Sequence, residues 1–347
     1  GFSQYKKVDG LFDKKLVNFN KGTDFVQAAI NAGLSAGAKR VTGVFDTTYD
    51  ESYVVSSNGL NMTDKGSGIS ISVRALASKE ASGHKMIQAN VLQGFNADKP
   101  GSEAGNIAKK GLNPQNIKPG KYNILFSPLP LADLLGCVAG ACSIDAHESG
   151  MSFFNKLGQK GASPKLTIYD WANLPFGVDS YGFDAEGTAA QKTTLIDKGA
   201  FKTYLHNFST AQKYKTQTTG NAGLTSPSPS NTYIVPGKSS QKALIEKMKK
   251  GLIVTNTWYT TFQNYQKGDF STIPRDSIFY VENGKIKCPV KDIRITDNII
   301  NILKSISAIG KDSEQVSSWA AEPPSYGNNI ITPSILCKNL NVTKSRN

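Results

Sequence analysis

The segment LADLLGCVAGACSIDAHESG (131–150) holds the densest group of potential metal ligands in the 347-residue sequence. A zinc peptidase helix needs two imidazoles one helical turn apart, with a glutamate between them to activate water. After His147-Glu148, the positions that would supply the second histidine hold Met151 and Ser152. The residue pattern of a zinc helix is therefore incomplete.

The same segment does not predict a cysteine site or a membrane span. Cys137 and Cys142 are separated by about 140° around a helix with 3.6 residues per turn, so they do not converge on one ion. Pro128, Pro130 and Asp133 interrupt any apolar run long enough to cross a bilayer. We interpret the segment as a buried helix with no metal ligand.

Other catalytic patterns are also incomplete. The sequence has no G-x-S-x-G nucleophile elbow. PGKSS (236–240) resembles the end of a phosphate loop, but Thr232 stands where its first glycine belongs. Asp184 and Glu186 could form a carboxylate pair, although acids beside glycine more often fix a turn by accepting backbone N–H bonds. We interpret them as turn residues.

Composition indicates a packed globular protein, with 39% hydrophobic and 9% aromatic residues. The net charge of +13 would suit an acidic partner. The lysines are scattered, however, and the densest run (241–251) lies on an amphipathic helix, which favours a solvated face over a nucleic-acid surface. Four cysteines at irregular spacing predict reduced thiols and no disulfide framework. Asn61, Asn207 and Asn341 begin glycosylation sequons, which matter only if the chain is secreted.

The order of elements predicts an α+β fold. Residues 1–98 contain one amphipathic helix (23–40) and four extended runs, which indicates a helix packed on an antiparallel sheet. Residues 99–121 carry turn residues around a short helix and are predicted to be a linker. Residues 122–347 contain mostly antiparallel strands with few helices, which indicates a β-rich barrel or sandwich. Asn283-Gly284, between two alternating apolar runs, is the strongest hairpin signal.

Several long segments of the second block resemble one known family in order and spacing. They are FDAEGTAAQKTTLIDKG (183–199), TTGNAG (218–223), the run from NTYIVPGKSS (231–255), GDFSTIPRDSIFYVENGKIKCPV (268–290) and ITDNIINILKSISAIG (295–310). This series resembles the TldD/PmbA family, often described as modulators of DNA gyrase, and is similar to its archaeal members. The first block resembles the latter part of that family's N-terminal α+β domain, as if the first part of that domain were lacking.

The resemblance distinguishes two kinds of subunit. TldD-type subunits carry an H-E-x-x-x-H zinc helix and a third ligand near the C-terminus, whereas TldE (PmbA) subunits lack these ligands and pair with TldD. Here the corresponding helix, LADLLGCVAG (131–140), has no histidine, and SSWAAEPPSYGNN (317–329) has neither Cys nor His. The resemblance therefore implies a non-catalytic TldE-like subunit without a cofactor of its own. It also implies a zinc-bearing TldD-like partner, peptide substrates and a cytoplasmic location.

One strand offers a candidate surface for peptides. Binding main-chain amides without reading sequence requires aromatic area and amide groups along a sheet edge. The segment 255–272 combines both, and an aromatic core strand or an interface patch is the alternative interpretation. The candidate substrate-binding residues are Asn256, Trp258, Tyr259, Phe262, Asn264, Tyr265 and Asp269.

Two other functions stay open on the sequence alone. The first is a structural or self-assembling protein, extracellular and glycosylated, that keeps the fold without peptidase chemistry. The second is a DNA- or gyrase-associated protein, which would be supported by the positive charge but lacks a recognisable nucleic-acid motif.

Overall fold

A computed structural model describes residues 5–317 and 329–345. The N-terminal layer consists of a 3-10 turn, two helices and three strands. In chain order these elements are the 3-10 turn Lys14–Leu16, α1 (Gly22–Ser35), β1 (Arg40–Val55), β2 (Asn61–Leu76), β3 (Ser82–Ala89) and α2 (Asp98–Lys110). The antiparallel sheet has the order β1-β2-β3, and its apolar face packs against both helices. The two extended runs expected between residues 41 and 60 form the single strand β1, because its full length pairs with β2.

Helix α2, which falls almost wholly within the predicted linker 99–121, belongs to this layer. Small residues let α1 and α2 approach closely. A Cβ atom added at Gly101 would lie 2.2 Å from the Ala29 carbonyl oxygen, and one added at Gly105 would lie 2.5 Å from that of Gly33. Ala104 and Ala108 complete the buried face of α2.

The second block is dominated by a large sheet. Its strands are β4 (Gln115–Asn116), β5 (Gly120–Phe126), β6 (Ile168–Trp171), β7 (Lys192–Asp197), β8 (Ala200–Phe201), β9 (Thr232–Ile234), β10 (Gly251–Asn264), β11 (Asp269–Glu282), β12 (Lys285–Lys291), β13 (Ile293–Asn298), β14 (Ile306–Val316) and β15 (Ile330–Lys344). Its helices are α3 (Pro128–Gly140), α4 (Ile144–Glu148), α5 (Phe208–Lys213), α6 (Gln241–Met248) and α7 (Ile299–Ser305).

Five of these strands close into a ring. β11 pairs with β10, β10 with β5, β5 with β15, β15 with β13, and β13 again with β11. A closed ring leaves none of its five strands as a free edge. The α+β class with a β-rich, barrel-like second block is confirmed.

The largest core cluster lies on the α3 side of this ring. Ile124, Phe126, Leu252 and Val254 alternate along β5 and β10 and share this cluster with α3. The intervening Leu125 and Ile253 face α6 in a second cluster. Burial on both faces explains why β5 and β10 are continuous apolar runs.

Local turn chemistry is confirmed at the predicted hairpin. Asn283 and Gly284 have φ angles of 52° and 71° and join β11 to β12 in a two-residue turn. The pattern DNIINILKSISAIG (297–310) predicts a helix, but α7 ends at Ser305, because β14 begins at Ile306 and pairs with β15. All four cysteines are free thiols, with Cys142 and Cys337 buried. Among the described residues, no helix is long and apolar enough to cross a bilayer.

Candidate functional site

The predicted substrate-binding residues fall into two groups along β10 and its turn. Asn256 and Trp258 lie where β10 meets the N-terminal layer, whereas Phe262, Asn264 and Asp269 lie at the far end of the β10–β11 hairpin. Tyr259 lies between the two groups, where the β10–β11 register shifts. It has a φ angle of 55° and is 59% exposed. The β10–β11 hairpin therefore places the predicted substrate-binding residues in two separate groups.

A β-bulge aims a carboxylate at the N-terminal layer. Thr255 on β10 faces both Asp276 and Ser277 on β11, and these two residues have φ angles of 57° and 68°. The Thr255 hydroxyl donates to both of their carbonyl oxygens, at 2.6 and 2.8 Å. A bulge of this kind redirects a side chain out of the regular pleat.

The redirected carboxylate is fully buried and accepts three side-chain hydrogen bonds. Asp276 Oδ1 receives Arg74 Nε at 2.7 Å and Ser82 Oγ at 2.8 Å, and Oδ2 receives Asn256 Nδ2 at 2.7 Å. A buried charge is tolerated when its lone pairs are satisfied in this way. Asn256 therefore links β10 to the Asp276 carboxylate, which also binds Arg74 of the N-terminal layer.

His84 completes this network. Asn256 Nδ2 lies 2.9 Å from His84 Nδ1, and His84 Nε2 lies 2.8 Å from Ser72 Oγ. Because the amide nitrogen can only donate, Nδ1 is the acceptor, and the neutral imidazole carries its proton on Nε2. Burial lowers the pKa of His84, and the Asp276 carboxylate opposes this shift only in part. His84 therefore acts as a neutral structural hydrogen-bonding group.

The Trp258 ring packs against the Arg74 guanidinium of this network. The Arg74 guanidinium carbon lies 4.7 Å from the centroid of that ring, which is a cation–π contact. Sequence analysis identified Asn256 and Trp258 but missed Arg74, His84 and Asp276. The local signal was the polar triplet Arg275-Asp276-Ser277, which separates Ile273-Pro274 from the apolar Ile278-Phe279 in β11.

In the second group, at the far end of the hairpin, the polar side chains form local hydrogen bonds. Asn264 Oδ1 accepts the Lys267 amide at 2.9 Å, and Asp269 Oδ1 accepts Asn298 Nδ2 at 2.9 Å. Phe262 stacks on the half-exposed Tyr265 with ring centroids 5.2 Å apart. The aromatic pair, with Tyr259, is the part of this group that presents a binding surface.

Helix α3 shows only one partly exposed face to this region. Asp133, Cys137 and Gly140 lie on it at helical spacing. The Thr257 and Thr260 hydroxyls of β10 each lie 3.5 Å from Asp133 Oδ2. Burial, together with the nearby Asp133 carboxylate, raises the pKa of the Cys137 thiol to about 12. This thiol stays protonated and is a poor metal ligand or nucleophile.

His147 and Glu148, the pair that begins the incomplete zinc pattern, are engaged in other contacts. His147 Nδ1 lies 3.0 Å from the Tyr204 hydroxyl, and Glu148 binds Lys213 Nζ at 2.9 Å. Within residues 5–317 and 329–345, no three His, Cys, Asp or Glu side chains are grouped so as to hold a metal ion. Most of the segment 317–329, where the third ligand was sought, lies outside the described residues.

The Asp184 carboxylate has a structural role, as predicted from its neighbours. Its Oδ1 accepts the amides of Glu186 and Thr188 at 3.0 and 2.9 Å, and its Oδ2 accepts the amide of Ala222 at 2.9 Å. These bonds fix the turn before β7. Glu186 instead accepts the Phe208 amide at 2.8 Å, so the two carboxylates serve different backbone groups.

Comparison with known proteins gives relatives of one kind. A protein named Metalloprotease MJ0996 from Methanocaldococcus jannaschii is 31% identical over 226 residues, which are 61% of this chain and 48% of that protein. A metalloprotease from Methanothermobacter thermautotrophicus is 29% identical over 327 residues, or 86% of this chain and 70% of that protein. The chain thus spans about half the length of the first relative.

Solved structures share the fold. A protein from Thermotoga maritima, described as a modulator of DNA gyrase, superposes with a TM-score of 0.90 at 25% identity, covering 99% of this chain and 79% of that one. TldE from Thermococcus kodakarensis gives a TM-score of 0.86 at 20% identity, covering 98% and 78%.

Family models match both blocks. The PmbA/TldA metallopeptidase central domain matches residues 14–112, and the PmbA/TldA metallopeptidase C-terminal domain matches residues 119–344. Together these matches cover most of the chain and confirm the resemblance drawn from its motifs. The chain therefore belongs to the PmbA/TldD metallopeptidase family.

Proposed function

We propose that this chain is a TldE-like, non-catalytic subunit that pairs with a zinc-bearing TldD-type metallopeptidase and helps to enclose peptides. The observation that carries the proposal is the partly exposed face of α3. This face presents Asp133 to the Thr257 and Thr260 hydroxyls, also carries Cys137, and has no imidazole. A carboxylate held by hydroxyl groups and a protonated thiol cannot replace a zinc-bound water.

The role of this chain toward a peptide would be to bind and orient it. Tyr259 extends into solvent from an irregular stretch of β10, and the Phe262–Tyr265 pair lies further along the same strand. Exposed rings of this kind supply contact area that does not depend on peptide sequence. The Arg74–Asp276–Asn256 network holds the base of β10 rigid beneath them.

Native mass spectrometry with metal analysis on the same sample tests the pairing. The chain is mixed with a TldD-type relative, and each is also measured alone. We expect a one-to-one heterodimer carrying zinc, and peptide hydrolysis in samples that contain the TldD-type subunit but not in this chain alone. Zinc binding and peptidase activity by this chain alone would overturn the proposal.

Substitution of Tyr259 in that heterodimer tests the peptide surface. We expect Tyr259→Ala to raise KM roughly 2- to 12-fold, since one aromatic contact contributes ~0.5–1.5 kcal/mol. Tyr53→Ala is the matched control, because Tyr53 is similarly exposed, at 64%, but lies on β1. Equal KM values for both variants would contradict a role of Tyr259 in binding.

The native mass spectra also test the alternative of a glycosylated, self-assembling structural protein. Asn207 is buried and its Oδ1 caps α5, while Asn341 Nδ2 donates to the Thr296 carbonyl at 2.9 Å. A glycan is attached at Nδ2, so at Asn207 it would have to displace the residues that bury this side chain, and at Asn341 it would compete with the Thr296 contact. Asn61 is exposed and remains accessible. A metal-free homopolymer with glycan mass at Asn61 would favour the structural function over the peptidase partnership.

A further inference from the structure

A cavity of about 160 Å³ with several acidic side chains in its lining lies at the N-terminal layer, away from the β10 site. One wall is the end of the β1–β2 hairpin, where Asp46, Thr48 and Asp50 alternate along β1 and therefore share a face. The opposite wall is the segment 178–183 of the second block. The cavity is thus enclosed by both parts of the chain.

Two glycines give the cavity its shape. Gly68 and Gly66 face Thr48 and Asp50 across the β1–β2 pair. A Cβ atom added at Gly66 would lie 2.7 Å from Asp50 Oδ1, and one added at Gly68 would lie 2.5 Å from Thr48 Oγ1. The Asp50 carboxylate and the Thr48 hydroxyl can therefore lie over β2 only because these two positions lack side chains.

The charge of the cavity is opposite to that of the chain. Four aspartates line it, namely Asp46, Asp50, Asp64 and Asp179. The first three form no ion pair with any described residue, and Asp179 accepts the Asn329 amide at 2.8 Å. Lys65 is the one lining cation in the described chain, and its Nζ lies 2.6 Å from Glu51 Oε1 on the other face of the hairpin. The lining charge is therefore mainly negative, whereas the net charge of the chain is +13.

The environment of Asp50 reflects this charge. Burial raises the pKa of Asp50, and the neighbouring Asp64 carboxylate raises it further. Asp64 itself accepts the Gly182 amide at 2.7 Å, which holds it in place beside the cavity. A cation between these carboxylates would relieve their repulsion.

A buried amide supplies an independent sign of a missing ligand. Asn90 also lines the cavity, is only 2% exposed, and donates from Nδ2 to the Gly177 carbonyl at 2.7 Å. This bond fixes the orientation of the amide, because a carbonyl oxygen can only accept. Its Oδ1 is buried and has no hydrogen-bond partner among the described residues. Buried acceptors are normally satisfied, so the group requires a donor.

We propose that this cavity binds a primary alkylammonium group, carried by a lysine side chain or by a polyamine. The carboxylates and the Asn90 oxygen all accept hydrogen bonds, and an ammonium has three donors and no acceptor. A metal ion fits less well, because the described chain has no group of three His, Cys, Asp or Glu side chains arranged to hold one. The proposal is independent of peptidase pairing.

Calorimetric titration of this chain alone tests the site. The probes are n-butylammonium for the group itself, spermidine for the polyamine source and Nα-acetyl-lysine amide for the peptide source. Nα-acetyl-norleucine amide is the matched neutral control. We expect n-butylammonium and at least one of the two sources to bind, and the neutral analogue not to bind. Preference for spermidine or for the lysine amide identifies the source. No binding of any ammonium probe at millimolar concentration would overturn the proposal.

Three variants place the binding in this cavity. Asp50→Asn removes charge, and Gly66→Ala keeps the charge but displaces the Asp50 carboxylate, so each should weaken ammonium binding at least 10-fold. Asp312→Asn removes an exposed carboxylate on β14, outside the cavity, and should leave affinity unchanged. Circular dichroism confirms folding of each variant. Equal weakening by Asp312→Asn would show that binding reflects only general charge.

Discussion

At the scale of single residues, the junction network depends on the protonation of one histidine. His84 is buried, accepts from Asn256 through Nδ1 and donates to Ser72 through Nε2. Protonation would place two donors face to face and add a charge to a desolvated site. The lowered pKa of His84 follows mainly from this burial.

This arrangement predicts a loss of stability on acidification. The unfolded chain takes up a proton near the ordinary histidine pKa of about 6.5, while the folded chain takes it up only at lower pH. Between these two values the unfolded state binds more protons, so the free energy of unfolding falls as pH falls, by up to ~1.4 kcal/mol per pH unit. We expect wild type to lose stability faster than His84→Gln between about pH 7 and pH 5 in urea denaturation.

The comparison with His84→Gln isolates this residue from other buried groups. Burial raises the pKa of Asp170 to about 6, which acts in the opposite direction over part of the same range. Asp170 is present in both proteins, so its contribution cancels in the difference. Parallel stability curves for the two proteins would contradict the role assigned to His84.

At the scale of elements, the N-terminal layer relies on close contact between α1 and α2. The backbone of α2 at Gly101 approaches the Ala29 carbonyl so closely that a methyl group has no room. Alanine would improve helix propensity, but the clash is with backbone and cannot be relieved by a rotamer change.

We therefore expect Gly101→Ala to lower the free energy of unfolding by ~1–3 kcal/mol. Asn106→Ala, on the exposed face of the same helix, is the control and should be neutral or stabilising by a few tenths of a kcal/mol. Urea denaturation of both variants measures the difference, with an unchanged m value showing that the folded state is intact. A Gly101→Ala protein as stable as wild type would mean that the two helices separate freely.

At the scale of the whole molecule, side chains tie the two blocks together. Arg74 reaches Asp276, and Lys85 of β3 binds Glu314 of β14 at 2.7 Å. Gln88 donates to Asn329 at 2.8 Å. These contacts cross between the two layers at three separate places.

Because the contacts are buried or partly buried, we expect the two blocks to unfold in one calorimetric transition with equal calorimetric and van't Hoff enthalpies. Arg74→Ala leaves the Asp276 carboxylate buried without its cation and should lower the free energy of unfolding by ~3–5 kcal/mol. Lys213→Ala, which removes a solvent-exposed pair within the second block, should leave the free energy of unfolding nearly unchanged. Two resolved transitions in wild type would show that the blocks are independent.

Short-range patterns in the sequence were sufficient to predict the local elements. Apolar spacing and turn residues identified α3, the β11–β12 hairpin and the antiparallel character of both blocks, since these depend on neighbours within a few positions. The absence of a second histidine after His147-Glu148 is also a property of the sequence alone. The closure of the five-stranded ring, and the contacts that bring Arg74, His84 and Asp276 together, are visible only in the folded chain. Those contacts join residues about 200 positions apart, and register and long-range packing leave no periodic signal in the chain.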